Sequence, residues 1–362
     1  MGEALLTLPG PAGGGGCAVR VAGSPCVAVE PREAERARRL LAGAGLLVGG
    51  LRAGRRGGRV LFPVSDLAEA LRLLAGHGVA AEGCWGEFRE ARRPGRLGEE
   101  VPGVSSYYIV GEAAILNERP GVPREVLVEA ARKILRRHPR VRGVYLKRGT
   151  RGEFRVARLE LLAGERVGET VYREYGLEFV VDVERVYVNP SLAGEHRRVA
   201  ELAGEGEWLL DMFSGFGAFA IHAASLHNLT AVSVDINPHA TRLAALNAWR
   251  NRRRLRGRVV VVNADAAMLP ELLQARFDRL VMNHPTASLD YLQAACRLLA
   301  PQGGWLHLYI LEEDWRTAWS KARAALVSAG CGAALGGWRS VIEYSPRLSV
   351  YALDIEAHKA QP

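Results

Sequence analysis

Residues 208–224 read WLLDMFSGFGAFAIHAA and combine the main elements of a ligand-binding turn. An apolar run ends in Asp211, a turn carries Gly215 and Gly217, and an apolar helix-like segment follows. Glycines at such a strand-to-helix turn let the backbone approach a bound ligand closely. The spacing Gly215-x-Gly217-x-x-Ala220 satisfies a dinucleotide-binding pattern, which by itself does not distinguish nicotinamide from S-adenosylmethionine.

Four further apolar runs follow this stretch, and each precedes a helix-like segment. They are AVSVDI (231–236), RVVVVNAD (258–265), DRLVMN (278–283) and GWLHLYI (304–310). Strands that are apolar throughout and alternate with helices are typical of a parallel sheet covered on both faces. We therefore predict an α/β protein with a Rossmann-like, doubly wound domain at residues 181–362.

The upstream sequence predicts two smaller α+β domains. Residues 104–180 contain strand-like segments around a helix at 124–137, which predicts an α+β middle domain. Residues 1–85 contain a basic amphipathic helix at 31–41, followed by a strand and a second helix, which predicts a small α+β N-terminal domain. Residues 86–103 are rich in Pro, Gly and charge without periodicity, as expected of a linker.

Composition restricts the class of protein. The chain has 362 residues, 48% of them hydrophobic, and lacks both a signal-peptide pattern and an apolar run of the roughly 20 residues a membrane helix needs. We therefore expect a cytoplasmic protein with no membrane contact. The net charge of +9 comes mostly from arginine, which fits a polyanionic partner. The five scattered cysteines include no CxxC pair, so we expect reduced thiols and no metal.

Acidic and polar residues stand at the ends of several apolar runs. Asp235 lies close to where a ribose-binding acid would be, and Asp265 follows the third run. Asp211, four places before the first glycine, and the triplet Asn283-His284-Pro285 favour S-adenosylmethionine. The candidate cofactor-binding residues are Asp211, Phe213, Gly215, Gly217, Asp235, Ile236, Asn237, Asp265, Ala266 and Asn283. Each aspartate alone is equally explained as a helix cap or a turn residue.

Beyond these motifs, residues 26–355 resemble a known protein family over most of the chain. The segment VERVYVNPSLAGEHRRVAELAGEGEWLLDMFSGFG (183–217) is similar to the archaeal and eukaryotic family of tRNA (guanine-37, N1)-methyltransferases. DINPHATRLAALNAWRN (235–251), DRLVMNHPTASLDYL (278–292) and EYSPRLSVYALDI (343–355) resemble the class I catalytic domain of that family. The resemblance implies methyl transfer from S-adenosylmethionine to N1 of guanosine 37, with tRNA as the partner and a monomeric enzyme. It also implies that the N-terminal domain binds tRNA outside the anticodon loop.

The resemblance implies roles for five residues. It assigns the general base to Glu195, a catalytic arginine to Arg155, substrate orientation to Asn283 with Pro285, and the motif tyrosine to Tyr187. A carboxylate can accept the N1 proton, and a fixed arginine can stabilise charge on O6. Without the resemblance, Glu195 would be interpreted as a surface carboxylate paired with Arg198, Arg155 as an exposed strand arginine and Tyr187 as half-buried core.

Three residues depart from the family pattern near the expected site. Ala218 replaces a proline, His284 replaces a leucine, and Ser191 replaces an arginine. These departures leave other functions open: a wybutosine-pathway transferase that moves the aminocarboxypropyl group or methylates a tricyclic guanine, and a tRNA-binding protein without catalysis. A nicotinamide oxidoreductase is a further alternative, which would make the middle-domain resemblance accidental.

Overall fold

The structure is a computed structural model that describes residues 21–89, 97–104, 106–118, 120–152, 154, 156–274 and 276–359. The chain divides into two compact units, Met1–Gly95 and Arg96–Pro362. In the described residues, no helix has both the length and the apolar character needed to span a membrane.

The first unit is a four-stranded antiparallel sheet covered by two helices. Its elements are β1 (Val21–Val29), α1 (Ala34–Gly43), β2 (Gly54–Arg56), β3 (Arg59–Pro63), α2 (Leu67–Gly76) and β4 (Ala81–Arg89), with strand order β2-β3-β1-β4. A 3-10 turn, Pro31–Glu33, precedes α1, so the basic segment at 31–41 is helical throughout. Leu41 of α1 and Leu74 of α2 pack on Val27 and Phe62 of the sheet.

β4 extends into the segment for which the sequence predicts a linker. Residues 86–89 pair with β1, with Phe88 opposite Ala22. Phe88 is only 1% exposed, because it packs against Cys26 and Leu61 on the face opposite the helices. The strand therefore continues to Arg89, and the linker prediction is wrong for these four residues. Burial of one aromatic side chain outweighs the local glycine and charge content. The linker prediction is also wrong for the helix Leu97–Glu100, because Leu97 and Val101 are buried in the core of the following domain.

Four of the five cysteines form disulfides, so the prediction of reduced thiols is wrong for them. Cys26 and Cys84 face each other across β1 and β4, with their Cα atoms 4.8 Å apart. Cys296 and Cys331 are joined with a Cα separation of 6.1 Å. The partners are 58 and 35 residues apart in sequence, so no local motif indicates either disulfide, and only the fold brings each pair together. Cys17 lies outside the described residues.

Removing the first disulfide should destabilise the first unit. In the double variant C26S/C84S we expect the free energy of unfolding of this unit to fall by about 2–4 kcal/mol, since the bond closes a long loop in the unfolded chain. Denaturant titration of both proteins, with and without reductant, measures this difference. Alkylation of Cys26 and Cys84 in denatured wild type without reductant would show that the bond is absent.

The second unit begins with a mixed four-stranded sheet. Its elements are α3 (Leu97–Glu100), β5 (Tyr107–Val110), β6 (Ala113–Asn117), α4 (Arg124–Arg137), β7 (Gly143–Arg151) and β8 (Val156–Gly164), with strand order β5-β6-β7-β8. The buried face of α4 includes Leu127 and Ile134, which pack with Leu146 of β7 in one cluster. The helix predicted at 124–137 is confirmed.

A two-stranded hairpin, β9 (Glu169–Glu174) and β10 (Leu177–Asp182), joins this sheet to the next domain. Asn247 on the following α/β domain accepts a hydrogen bond from the Val180 amide and donates to the Val180 carbonyl. Asn251, one turn later, makes the same pair of bonds with Glu178. The two asparagine side chains thus hydrogen-bond the backbone of β10 to a helix of the α/β domain. The predicted domain boundary, between residues 180 and 181, falls inside this strand.

The remaining chain forms a seven-stranded α/β domain. Its elements are α5 (Ala193–Leu202), β11 (Trp208–Asp211), α6 (Ala218–Leu226), β12 (Thr230–Asp235), α7 (Pro238–Asn251), β13 (Arg258–Asn263), α8 (Leu269–Leu272), β14 (Arg279–Met282), α9 (Leu292–Leu298), β15 (Gly304–Glu312), α10 (Trp315–Ser328), β16 (Cys331–Glu343) and β17 (Ser349–Lys359). The strand order is β13-β12-β11-β14-β15-β17-β16, with β17 antiparallel to both neighbours. The doubly wound fold is confirmed. The strand order reverses beside β11, where such sheets bind ligands.

Candidate active site

A cavity of about 600 Å³ lies in the second unit beyond the carboxyl ends of β11, β12 and β14. Most residues that the sequence predicts for the site contribute to its wall. They are Tyr187, Phe213, Gly215, Asp235, Ile236, Asn237, Asp265, Ala266, Asn283 and Pro285. The three residues that depart from the family pattern, Ser191, Ala218 and His284, also line the cavity.

The turn between β11 and α6 requires its glycines. Gly215 and Gly217 have φ angles of 53° and 87°, which side-chain-bearing residues rarely adopt. A Cβ on Gly217 would also come within 3.0 Å of the Ala244 Cβ on α7. Gly217 does not line the cavity. Its role in this structure is to let α6 begin close to α7, while Gly215 forms part of the cavity wall.

Asp235 is oriented at the cavity wall by two backbone amides. Its Oδ2 accepts from the Gly215 N–H at 2.7 Å, and its Oδ1 accepts from the Asn237 N–H at 2.9 Å. Burial raises the pKa of Asp235, and these two amide hydrogen bonds partly oppose that shift. Asp265 begins the next turn and accepts from the Ala267 N–H. Fixed carboxylates at successive strand ends suit the recognition of ribose hydroxyls and of an adenine edge.

Asp211, the last residue of β11, is fully buried and is not among the residues that line the cavity. It is 0% exposed, and neither carboxylate oxygen has a hydrogen-bond partner among the described residues. Burial raises the pKa of Asp211 well above its usual range, the nearby Phe213 amide opposes this shift, and Asp235 reinforces it. Ser214 lines the cavity, and its buried hydroxyl also lacks a partner among the described residues. These unmatched polar groups fit a ligand that carries positive charge and hydrogen-bond donors.

The turn after β14 is held rigid from both sides. The Ser288 hydroxyl donates to the Met282 carbonyl at 3.0 Å, and the His284 N–H donates to that hydroxyl at 3.2 Å. The Leu311 amide of β15 donates to the Pro285 carbonyl. The Phe213 ring packs against His284, with ring centroids 5.1 Å apart. The histidine that replaces the family leucine is therefore part of the cavity wall beside Asn283.

The middle sheet supplies part of the cavity wall that sequence reasoning missed. Tyr108 of β5, Asn117 of β6 and Lys147 of β7 line the cavity. The Lys147 Nζ lies 5.9 Å from the centre of the Tyr187 ring. Burial, with a smaller effect of Tyr187, raises the pKa of Tyr108 to about 12. These residues carry no recognisable motif, and only the packing of two sheets brings them to the site.

Glu195 lies on α5 next to cavity-lining residues, but its carboxylate is not part of the wall. It is 7% exposed and accepts from Arg198 at 2.8 Å and from the Tyr309 hydroxyl at 2.9 Å. Arg198 also donates to Asp354, which accepts from His307. The alternative interpretation of a Glu195–Arg198 pair is confirmed, but the pair is buried and not at the surface. Arg155 lies outside the described residues.

Comparison with known proteins gives two domain matches. Residues 170–328 match a TRM5/TYW2 methyltransferase domain, and residues 90–168 match a TYW2 N-terminal domain. The chain is 30% identical over 336 residues to the tRNA (guanine(37)-N(1))-methyltransferase Trm5b of Pyrococcus abyssi, which covers 91% of this chain and 97% of that protein.

The chain is also similar to a second curated protein and to a solved protein–tRNA complex. The chain is 33% identical over 204 residues to the tRNA 4-demethylwyosine(37)-methyltransferase Taw21 of Saccharolobus solfataricus, covering 56% of this chain and 76% of Taw21. A solved complex of aTrm5 with tRNALeu superposes with a TM-score of 0.63 at 25% identity, over 91% of this chain and 99% of that one.

Proposed function

This chain belongs to the TRM5/TYW2 methyltransferase family, and from that premise we propose that it methylates N1 of guanosine 37 in tRNA with S-adenosylmethionine. The observation that carries the proposal is the cavity where the β11 turn, the Asp235 carboxylate and the rigid Asn283-Pro285 turn meet. One cavity at the switch point of the sheet thus presents groups for both a nucleoside cofactor and a flat base.

The cofactor half of the cavity is formed by the strand ends of the α/β sheet. Asp235 would accept hydrogen bonds from the ribose hydroxyls, and Asp265 would lie beside the adenine. Asp211 would supply negative charge behind the methionine end, where its unpaired oxygens fit a cationic group. S-adenosylmethionine, when bound, supplies a methyl group on a positively charged sulfur. The protein therefore has only to align the nucleophile and manage one proton.

The target half of the cavity would hold the guanine. The Asn283 amide offers a donor and an acceptor to a base edge, and Tyr187 lines the same space. Glu195 would accept the N1 proton as the N1–methyl bond forms. For this role, the Glu195 carboxylate must lose one hydrogen bond from Arg198 when the substrate binds and accept one from the guanine N1–H instead. Arg155, as the resemblance implies, would stabilise charge on O6.

The proposed partner is tRNA with guanosine at position 37. The target nucleotide would turn out of the anticodon loop to enter the cavity. The first unit would bind tRNA away from this loop, and α1 presents the exposed residues Arg36, Arg38 and Arg39. Arg38 donates a hydrogen bond to Glu35, so the net positive charge of the exposed face of α1 is smaller than the number of its arginines indicates. A monomeric enzyme remains our expectation.

Transfer of labelled methyl to tRNA transcripts tests the proposal. We expect N1-methylguanosine from a transcript with guanosine at position 37 and no product from a transcript with adenosine there, as nucleoside analysis would show. Cofactor binding without any methylated nucleoside would overturn the proposal and favour aminocarboxypropyl transfer or a silent relative.

A second candidate substrate is 4-demethylwyosine at the same position. The match to Taw21 over 76% of that protein favours it. Competition between tRNAs that carry guanosine or 4-demethylwyosine at position 37 separates the two activities. Methylation of the tricyclic base alone would replace the guanosine assignment.

A further inference from the structure

A buried cluster of three ionisable residues lies next to the cavity, and one of its members is part of the cavity wall. Glu174 at the end of β9, His196 on α5 and His222 on α6 are 4%, 4% and 0% exposed. The same Glu174 Oε2 accepts from the His196 Nδ1 at 2.8 Å and from the His222 Nε2 at 2.9 Å. No motif in the sequence marks this cluster, since its members come from three elements.

The hydrogen bonds fix the protonation state of the cluster. Burial alone would raise the pKa of Glu174, but the hydrogen bonds from both histidines outweigh it and lower the pKa to about 2. Glu174 is therefore a carboxylate at neutral pH, and each histidine donates an N–H to it. A buried negative charge is costly unless a positive charge balances it. One of the two imidazoles is expected to carry that charge.

His196 is the better placed of the two. Burial lowers the pKa of His222, the hydrogen bond to Glu174 and its negative charge oppose that shift, and the charges of His196 and Arg197 add to it. The His222 ring is stacked on Phe179, and its Nδ1 is buried without a partner among the described residues. His196 instead lines the cavity. Tyr172 of β9, Tyr175, whose ring centre lies 6.0 Å from that of His222, and Arg197 also face the cluster.

His196 has one ring nitrogen that is not hydrogen-bonded to Glu174. Its Nδ1 is committed to Glu174, so Nε2 is the ring nitrogen left for the cavity, and in the imidazolium form it carries a proton. Negative charge develops on the guanine O6 when the N1 proton leaves, and a hydrogen-bond donor in the cavity wall can stabilise that charge.

We propose that His196, oriented by Glu174, donates an Nε2–H hydrogen bond to O6 of the target guanine and stabilises the charge that develops there. This inference rests on the proposed function. In the step, the N1 proton passes to Glu195, the N1 electron pair forms the bond to the methyl carbon, and the carbon–sulfur electron pair returns to sulfur. His196 keeps its proton throughout, and the guanine leaves as neutral N1-methylguanine.

Single-turnover methyl transfer with two transcripts tests this contact. One transcript carries guanosine at position 37 and the other carries 6-thioguanosine, whose sulfur is a weaker hydrogen-bond acceptor. In H196N the amide still reaches Glu174 but the cavity donor is lost, and we expect guanosine methylation to slow by about 10²- to 10³-fold. H196Q restores a neutral donor near the Nε2 position and should recover part of that loss.

The decisive measurement is whether the effect of 6-thioguanosine on the methylation rate differs between the wild type and H196N. If His196 contacts O6, the sulfur substitution slows the wild type by about 10-fold more than it slows H196N. The same factor in both enzymes would overturn the assignment, as would an unchanged rate in H196N. A wild type that methylates neither transcript would overturn the proposed function itself, which keeps the two failures distinct.

Two controls separate this contact from a structural effect. Cofactor affinity and the melting temperature of each His196 variant show whether the cavity and fold persist. H227Q, on the adjacent end of α6, preserves the hydrogen bond from the ring Nε2 to the Ala200 carbonyl and should leave the rate unchanged. A loss of rate in H196N that matches a loss of cofactor binding would assign His196 a structural role and overturn the proposal.

Discussion

Methyl transfer to guanosine 37 is expected to slow by about 10²- to 10⁴-fold in Glu195→Gln, the range that general base catalysis supplies. A glutamine cannot accept the N1 proton, yet it has nearly the same shape and can still accept from Arg198 and Tyr309. We therefore expect the affinities for S-adenosylmethionine and tRNA to change little. Single-turnover rates and equilibrium binding, measured on the same preparations, separate the two effects.

The buried charges around Glu195 indicate why this variant should still fold. Arg198 keeps Asp354 as its partner, with the two groups 2.7 Å apart, so the substitution leaves no unpaired buried cation. E201Q is the matched control, since Glu201 lies on the same helix, is exposed and pairs with Arg197. Full activity in E195Q would remove Glu195 from the chemistry and leave it as a structural partner of Arg198.

Local pattern was sufficient to predict the framework of the protein. The helix at 124–137 has an apolar stripe of period 3.6, and its bounds agree with α4. The continuously apolar runs became the central strands β11, β12, β14 and β15 because buried parallel strands contact apolar groups on both faces. The edge strand β13 is less buried, although its sequence is as apolar as the others.

The cofactor half of the site was predictable for a topological reason. In a doubly wound sheet, residues at the carboxyl ends of neighbouring strands converge whatever their sequence separation. Asp235, Asp265 and Asn283 therefore line one cavity although the motifs lie apart in the chain. The family membership also excludes a nicotinamide oxidoreductase, which the glycine spacing alone had left open.

The rest of the site depends on contacts that no local pattern encodes. Lys147 and Tyr108 reach the cavity from another sheet, and Glu174 meets His196 only because β9 packs on α5 and α6. The disulfide cysteines are a similar case, since their pairing follows from strand register. The burial of Glu195 also requires Tyr309 from β15, which is remote in sequence.

Replacing Asp211 with asparagine should weaken cofactor binding and stabilise the ligand-free protein together. The carboxylate is fully buried without a hydrogen-bond partner among the described residues, so its charge costs free energy until a cationic ligand binds. Asparagine removes that charge at nearly constant volume. We expect affinity for S-adenosylmethionine to fall by about 100-fold, as for loss of one member of a buried charge interaction. We expect the ligand-free protein to gain about 1–3 kcal/mol in unfolding free energy at neutral pH.

The pH dependence of that gain provides an independent check. Burial holds the pKa of Asp211 above its unfolded value of 3.8, so the wild-type group favours folding at low pH and loses this contribution as the pH rises through the folded pKa. The stability advantage of D211N should therefore be largest at neutral pH and shrink as the pH approaches 4. Denaturant titrations at several pH values and calorimetric binding of the cofactor measure the two effects. A variant that loses both stability and affinity at neutral pH would show that the Asp211 carboxylate stabilises the ligand-free fold and is not a charge held for the ligand.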